Sequence, residues 1–262
     1  QWWEVEGFSK DAASSYPIAI TGQGPPILLL HGFDSCFLEF RRLSPLLEVE
    51  NQLIIPDLYG FGFCPRQEND EYGFKMIINF LNQIINQIKT DYPIGVIGAS
   101  MGGAIALEIA RQNPNRVNRV LLLSPAGLSK KQMKVPWPLN HLGACFLKQQ
   151  FIRKSLCKQA FADPQNSVGE QEEQIASIHL EVPGWQNSLA AFAKSGGVFD
   201  CGYPIPTQPL KVLWGKKDRI ITKEEKSICF KLFKNQIEEI EDCGHLPHLD
   251  TPEIVAKKWL YN

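Results

Sequence analysis

The middle of the chain contains the stretch Ile94-Gly95-Val96-Ile97-Gly98-Ala99-Ser100-Met101-Gly102-Gly103, in which an apolar run leads into a serine between small residues. The run is typical of a buried strand, and residues 104–110, apolar almost all round, are typical of a helix packed against a sheet. A serine in such a sharp turn projects its hydroxyl at the carboxyl end of the strand, beside a helix N-terminus that favours negative charge. A structural turn with an incidental serine is the alternative, but these flanks favour Ser100 as a nucleophile.

Four other apolar runs are bounded by Gly, Pro or Asp, as fully buried strands are, and they span residues 26–30, 53–56, 117–123 and 210–214. A helix with one apolar side is predicted from the spacing of Ile77, Phe80, Leu81, Ile84, Ile85 and Ile88. Another helix is predicted to begin at Thr251, with its hydroxyl as the N-cap. This alternation of strands and helices predicts an α/β fold, in which helices cover both faces of a mostly parallel sheet. The strands predicted at residues 2–7 and 16–20 are expected to form an antiparallel edge of that sheet.

Residues 126–207 interrupt the alternation, because they contain no strand-like run. We predict a core domain formed by residues 1–125 and 208–262, with residues 126–207 inserted as a helical lid. The aromatic residues of this segment include Trp137, Phe146, Phe151, Trp185 and Phe192.

The first part of the predicted lid is strongly basic, with seven basic residues and no acidic ones between Ser129 and Ala162. A solvated lid surface is the favoured interpretation. The alternative is a membrane surface with anionic lipid, or an acidic partner. Apolar residues between Cys145 and Cys157 spread around a helical wheel, which weakens the membrane alternative.

A serine hydroxyl is a poor nucleophile at neutral pH, so it needs a base beside it and a third group that orients the base. Asp218 follows the apolar run at 210–214, and His245 follows a strand-like run at 236–240. Both therefore emerge at the carboxyl edge of the sheet, where Ser100 also lies. We predict Ser100 as nucleophile, His245 as general base and Asp218 as the acid that orients the base.

A tetrahedral intermediate needs two N–H donors for its negative oxygen, and the backbones of Phe33 and Met101 are the candidates for this oxyanion hole. His31 follows the run at 26–30 and is predicted to shape the loop that carries Phe33. Asp34 and Asp57 are interpreted as turn residues.

The other histidines are less suited to catalysis. His141 and His179 lie in the predicted lid and are interpreted as surface or packing residues. His248 lies three residues after His245 and could form a metal pair with it, but no third ligand is evident. We therefore predict no metal site.

The composition excludes several classes of protein. Of the 262 residues, 44% are apolar and 21% are charged, as in ordinary globular proteins. A net charge of −1 and the lack of a phosphate-cradling motif argue against nucleic acid as a partner. Seven scattered cysteines favour a reducing compartment. Without an apolar run of membrane-spanning length, we expect a cytoplasmic location, or a plastid-like interior if a leader preceded Gln1.

Five segments together resemble the α/β-hydrolase superfamily: His31-Gly32-Phe33, 57–62, 98–103, 214–218 and Gly244-His245. The resemblance implies an eight-stranded, mostly parallel sheet, a lid after the sixth strand and no cofactor. It also implies the chain order of nucleophile, acid and base that Ser100, Asp218 and His245 show. Residues 100–103 are similar to esterases, carbon–carbon bond hydrolases and perhydrolases, and residues 31–35 to a plastid and cyanobacterial branch with chlorophyll-dephytylating enzymes.

The leading interpretation is a serine hydrolase that cleaves a small-molecule carboxylic ester through an acyl-enzyme on Ser100. The aromatic lid favours an apolar portion in the substrate. Two alternatives remain open. The same triad could cleave a carbon–carbon bond in a vinylogous diketone, or the chain could be a ligand receptor that retains the triad.

Overall fold

The computed structural model describes residues 1–8, 15–67 and 70–261. Its eight strands are β1 (Trp2–Trp3), β2 (Tyr16–Thr21), β3 (Pro26–Leu30), β4 (Gln52–Pro56), β5 (Ile94–Ala99), β6 (Val117–Leu123), β7 (Leu210–Gly215) and β8 (Ile237–Ile240). They form one sheet in the order β1-β2-β4-β3-β5-β6-β7-β8. The pairs β1–β2 and β2–β4 are antiparallel, and the strands from β4 to β8 pair in parallel. The predicted eight-stranded sheet with an antiparallel edge is confirmed.

The α-helices of the described residues are α1 (Ser44–Leu47), α2 (Phe74–Gln87), α3 (Met101–Gln112), α4 (Leu139–Leu147), α5 (Gln150–Ala160), α6 (Pro164–Ser167), α7 (Glu170–Ile175), α8 (Trp185–Ser195), α9 (Lys223–Leu232), α10 (Pro247–Asp250) and α11 (Pro252–Leu260). None of the helices in these ranges has the length and apolar character that crossing a bilayer requires.

The core lies on both faces of the sheet because successive side chains of a strand point in opposite directions. In β3, Leu28 and Leu30 belong to the cluster that α2 and α3 cover, whereas Ile27 and Leu29 belong to the cluster that α11 covers. Strands buried on both faces read as continuous apolar runs, which is why the sequence revealed them.

Two predicted helices form, with one difference in detail. The apolar stripe that begins at Ile77 is buried on α2. Helix α11 starts after Thr251, but the Thr251 hydroxyl does not cap it. This hydroxyl donates instead to the carbonyl oxygen of Pro247 at 3.3 Å, because the short helix α10 ends immediately before α11.

Residues 126–207, all of them described, connect β6 to β7 through α4 to α8 and contain no strand. Their aromatic residues divide into two groups. Trp137, Phe146 and Phe151 are exposed, whereas Trp185 and Phe192 are buried. The segment therefore has an apolar inner side and an apolar outer side.

Candidate active site

Ser100 sits in a strained turn between β5 and α3. Its backbone has φ 51° and ψ −118°, a region that residues with a side chain rarely occupy. A Cβ at Gly98 would overlap the carbonyl oxygen of Gly102, and a Cβ at Gly102 would overlap that of Leu30. Because the backbones pass this closely, the turn requires glycine at both positions.

Asp218 and His245 are joined by a hydrogen bond. Asp218 follows β7 and His245 follows β8, and Nδ1 of the histidine lies 3.0 Å from Oδ2 of the aspartate. The other carboxylate oxygen, Oδ1, accepts the N–H groups of Ile220 at 2.8 Å and Ile221 at 3.1 Å. A carboxylate in contact with Nδ1 holds the proton there and leaves Nε2 of His245 available as a base.

Asp218 remains ionised in this environment. Burial alone would raise the pKa of its carboxyl group, but the hydrogen bond and charge of His245 and the N–H groups of Ile220 and Ile221 outweigh burial. The pKa of Asp218 therefore lies below its ordinary value. An ionised carboxylate can stabilise the imidazolium that forms when His245 takes a proton.

Ser100 lies at the same carboxyl edge of the sheet as this pair. In the described parts of the chain, no hydrogen bond joins its hydroxyl to His245. The structure thus brings Asp218 and His245 into contact and places Ser100 at the end of β5 without a direct bond to them. Catalytic hydrogen bonds are often long in ligand-free enzymes and shorten when substrate binds.

Two backbone N–H groups near Ser100 lack an acceptor among the residues that the structure describes. Strand β3 pairs with β5, with Leu30 opposite Gly98, so the loop after β3 passes close to Ser100. Across residues 1–8, 15–67 and 70–261, neither the N–H of Phe33 nor that of Met101 has a hydrogen-bond acceptor. Unpaired donors at such a position can receive the oxygen of a tetrahedral intermediate.

His31 orients the peptide that carries the Phe33 N–H. Its Nε2 accepts the N–H of Leu58 at 3.0 Å, so its Nδ1 carries the proton and donates to the carbonyl oxygen of Gly32 at 2.8 Å. That carbonyl and the Phe33 N–H belong to one peptide unit, so the bond fixes the direction of the N–H. The loop-shaping role predicted for His31 agrees with these contacts.

Glu39 supports the same loop and was missed by the sequence interpretation. Its buried carboxylate accepts the N–H of Gly32 at 3.1 Å and lies 3.2 Å from Nε2 of His248. Burial would raise its pKa, but the interaction with the His248 imidazole outweighs burial and lowers the pKa of Glu39 to about 2.

His245 and His248 thus face different carboxylates, Asp218 and Glu39. This arrangement explains the spacing that had suggested a metal pair. The interpretation of Asp57 as a turn residue is confirmed, because its carboxylate accepts the N–H groups of Phe37 and Phe63, both at 2.6 Å.

Asp34 ties the loop after β3 to the helical segment 126–207. It does lie at a turn, with φ 50°, but its side chain is buried rather than free. The carboxylate accepts the indole N–H of Trp185 at 2.8 Å, lies 3.1 Å from Nε2 of His179 and forms an ion pair with Arg153. His179 is a buried residue, not a surface one. Nothing local in the sequence signals these partners, because Arg153 comes from α5, His179 from the segment between α7 and α8, and Trp185 from the start of α8.

An aromatic cluster lines the approach to the Phe33 backbone. The Phe33 ring is 45% exposed and lies 5.9 Å from the ring of Phe61 and 5.9 Å from that of Phe192. Phe192 comes from α8, so the 126–207 segment contributes to this apolar wall. A partly exposed aromatic surface next to unpaired N–H donors can bind the apolar part of a substrate.

A strained serine turn, an Asp–His pair and two free N–H groups at one edge of a mostly parallel sheet define an α/β hydrolase. The profile of the alpha/beta hydrolase family matches residues 27–258. The chain therefore belongs to this family, as the sequence resemblance predicted.

Several curated relatives align with most of the chain. It is 32% identical over 246 residues to 2-hydroxy-6-oxo-2,4-heptadienoate hydrolase of Pseudomonas putida, covering 86% of this chain and 83% of the relative. It is 27% identical over 248 residues to Lipase 1 of Psychrobacter immobilis, an alignment that covers 90% of this chain and 76% of the lipase. It is 26% identical over 250 residues to alpha/beta hydrolase domain-containing protein VTE7 of Arabidopsis thaliana, an alignment that covers 88% of this chain and 72% of the relative.

Solved structures show the same fold. An epoxide hydrolase, CorEH, superposes with a TM-score of 0.80 at 20% identity and covers 99% of this chain and 96% of its own. A thermophilic esterase from Thermogutta terrifontis superposes with a TM-score of 0.74 at 23% identity, covering 99% and 98%. At these identities the likeness concerns the fold alone.

The Asp34 cluster predicts a pH dependence of stability. Burial would raise the pKa of Asp34, but His179, Arg153 and Trp185 outweigh burial and lower it to about 2 from an ordinary 3.8. A carboxylate with a lowered pKa stabilises the fold above its unfolded pKa, and this contribution is lost as the pH falls towards the folded value. The free energy of unfolding of Asp34→Asn should therefore fall less steeply than that of the wild type as the pH drops from about 4 to 2.

Urea denaturation at several pH values measures this slope. The pKa of Glu39 is lowered into the same pH range. The dependence of the free energy of unfolding on pH should therefore be weaker in Asp34→Asn than in the wild type, but should not vanish. At neutral pH the variant should be less stable by about 2–4 kcal/mol, since it leaves the largely covered Arg153 charge without its carboxylate. The exposed Asp91→Asn serves as the control. Equal slopes in Asp34→Asn and the wild type would show that the cluster does not carry the effect.

Proposed function

We propose that the chain hydrolyses a carboxylic ester through a covalent intermediate on Ser100. The observation that carries this proposal is the hydrogen bond between His245 and an ionised Asp218 at the sheet edge where the strained Ser100 turn lies. A histidine oriented by a carboxylate can act as a base towards a nearby hydroxyl at neutral pH. In this proposal residues 126–207 form a lid on a core of residues 1–125 and 208–262.

The first half of the reaction forms the acyl-enzyme. His245 Nε2 takes the proton of the Ser100 hydroxyl as the oxygen attacks the ester carbonyl carbon, and the carbonyl electrons move onto its oxygen. The N–H groups of Phe33 and Met101 stabilise that oxyanion. The carbonyl then re-forms, the carbon–oxygen bond to the alcohol breaks, and the imidazolium of His245 protonates the leaving alcohol.

The second half releases the acid. Water enters beside His245, loses a proton to Nε2 and attacks the acyl carbon, and the same two N–H groups stabilise the second oxyanion. Collapse breaks the bond to the Ser100 oxygen, which regains its proton from His245. Each proton taken is returned, so the enzyme ends unchanged.

The aromatic cluster supports an apolar portion in the substrate. The rings of Phe33, Phe61 and Phe192 form the wall next to the proposed oxyanion hole. Apolar surface of this kind binds acyl or alcohol groups by removing them from water. The lipase among the relatives is compatible with such a substrate.

A second candidate reaction is cleavage of a carbon–carbon bond in a vinylogous diketone. It is favoured by the 32% identity to 2-hydroxy-6-oxo-2,4-heptadienoate hydrolase. Both reactions use a base, a serine and an oxyanion hole, so the arrangement of Ser100, Asp218 and His245 is compatible with either. The substrate distinguishes them.

The nucleophile assignment predicts the behaviour of Ser100→Ala. This variant should fold normally and lose about 10⁴- to 10⁶-fold in kcat, as enzymes with a triad do. A fluorophosphonate probe should label the wild type and the exposed control Ser155→Ala, but not Ser100→Ala. Circular dichroism checks folding. Undiminished turnover by Ser100→Ala would refute the proposal.

A substrate panel distinguishes the two reactions. We expect p-nitrophenyl esters with medium or long acyl chains to give a higher kcat/KM than the acetate, since a longer chain buries more surface against the aromatic cluster. A dienoate-type ketone measured beside them tests carbon–carbon cleavage. If the ketone turns over faster than every ester, the second candidate replaces the first.

Glu39 is a positioning residue in this proposal, because it acts through the Gly32 peptide. Glu39→Gln keeps an acceptor for the Gly32 N–H but removes the charge that faces His248. Loosening the loop should misplace the Phe33 N–H and lower kcat by about tenfold with little change in KM, since the donor acts on the transition state.

Rates should be expressed per site labelled by the fluorophosphonate, so that loss of folded protein does not count as loss of turnover. The exposed Glu50→Gln is the matched control. A rate per labelled site equal to that of the wild type would exclude a positioning role for Glu39.

A further inference from the structure

Helix α4 presents apolar side chains to solvent. Leu139, Leu142 and Phe146 are 58%, 60% and 55% exposed. They are spaced at i, i+3 and i+7 and therefore share one face of the helix. Asn140 and Ala144, on the opposite face, are buried. The helix is thus inverted relative to an ordinary surface helix, with a polar residue inside and apolar residues outside.

The inner face of α4 is held firmly against α8. The side-chain amide of Asn140 donates to the carbonyl oxygen of Ala190 at 3.1 Å. The N–H of Val135, before α4, donates to the carbonyl oxygen of Ala193 at 3.1 Å. These bonds determine which face of α4 points inward, so the exposure of the apolar residues is a consequence of the packing.

The exposed apolar surface extends beyond α4 at both ends. Trp137, just before the helix, is 74% exposed, and Phe151, at the start of α5, is 65% exposed. The ring of Phe151 meets that of Phe146 edge to face at 6.3 Å. We refer to Trp137, Leu139, Leu142, Phe146 and Phe151 as the outer apolar face. Several large apolar residues exposed on one helix and at its two ends mark an interaction site.

A break in the helix explains why the apolar residues between Cys145 and Cys157 spread around a helical wheel, the pattern that weakened the membrane alternative. Helix α4 ends at Leu147 and α5 begins at Gln150, and Gln149 between them is extended with φ −65° and ψ 129°. A wheel drawn across residues 145–157 therefore combined two helices. Within α4 alone, the exposed apolar residues share one side.

Lysines flank this face in the sequence. We refer to Lys130, Lys131, Lys134 and Lys148 as the lysine rim. All four are exposed, and within the ranges that the structure describes none of them forms an ion pair. Lys154 differs, because it pairs with Glu173. No acidic residue lies between Ser129 and Ala162, although the chain as a whole has a net charge of −1.

We propose that the outer apolar face and the lysine rim dock on the surface of an anionic lipid bilayer. Aromatic and aliphatic side chains enter the headgroup–acyl boundary, while lysines contact anionic headgroups. A second copy of this chain would oppose one lysine rim to another, and such juxtaposed like charges are unfavourable. The proposal does not depend on the chemistry proposed for Ser100.

Flotation with vesicles of phosphatidylcholine, with and without phosphatidylglycerol, tests the proposal. The wild type and Ser100→Ala should both float with the anionic vesicles, bind the neutral ones less, and dissociate as salt is raised. Replacing the four rim lysines with Gln should weaken binding by about 100-fold or more, since each lysine near an anionic surface contributes roughly a factor of five. The triple variant Trp137→Ser, Leu142→Ser, Phe146→Ser should lose about tenfold or more.

Two matched variants control for composition. Exposed apolar residues elsewhere are replaced in Val49→Ser, Tyr92→Ser, Tyr261→Ser, and exposed lysines elsewhere in Lys89→Gln, Lys231→Gln, Lys234→Gln, Lys257→Gln. Both controls should bind vesicles as the wild type does. The lysine-rim variant, the triple variant and both controls, which retain Ser100, should hydrolyse a water-soluble ester at the wild-type rate.

Three outcomes would overturn the proposal. The wild type could remain in the aqueous fraction with anionic vesicles. The face and rim variants could bind as well as the wild type. Sedimentation velocity could instead reveal a dimer that the triple variant dissociates, together with no vesicle binding, which would make the face a self-association surface. Because binding is measured without turnover, failure here leaves the hydrolase proposal untouched.

Discussion

The backbone conformation at Ser100 is the constraint on which the site depends. A positive φ with a side chain costs free energy and persists only where the surroundings enforce it. Here the N–H of Ser100 donates to the carbonyl oxygen of Leu123 at 2.9 Å, and its own carbonyl oxygen accepts the N–H of Ala126 at 3.0 Å. The bonds on and after β6 therefore hold the turn. The same turn leaves the Met101 N–H, at the start of α3, without an acceptor in the described part of the chain. Strand pairing and close backbone packing therefore also determine the position of the candidate oxyanion donor.

Buried or half-buried carboxylates hold the loops around this turn. Glu39 supports the loop that carries the Phe33 N–H, and Asp34 joins that loop to α5 and α8. Asp250 accepts the N–H of Gly244 at 2.6 Å and that of Ala162 at 2.9 Å, so it joins the His245 loop to the end of α5. A buried carboxylate without partners would be costly, and each of these is satisfied by groups from remote parts of the chain. The loops of the site and the 126–207 segment are therefore mutually ordered.

The sequence revealed the sheet and the candidate triad because their signals are local. Buried parallel strands are continuous apolar runs, and Ser100, Asp218 and His245 each directly follow such a run or its loop. The partners of Asp34 and Glu39 could not be predicted, because they are chosen by packing between segments far apart in sequence. The break after Leu147 was equally hidden: no glycine or proline occurs from residue 144 to 163, so nothing local ends the helix. Tertiary contacts, among them Arg153 with Asp34, set the direction of α5 instead.

The position of the outer apolar face relative to the site follows from this packing. Helix α4 turns its exposed residues outward because Asn140 is bonded to α8, and α8 turns Phe192 inward against Phe33 and Phe61. Helices α4 and α8 thus separate the surface proposed to meet lipid from the aromatic wall beside the candidate oxyanion hole. An apolar ester is far more concentrated in a bilayer than in water, since each methylene removed from water contributes about 0.8 kcal/mol. An enzyme held at the bilayer by α4, as proposed, would have access to such a substrate, and the aromatic wall proposed to bind it favours the same class of molecule.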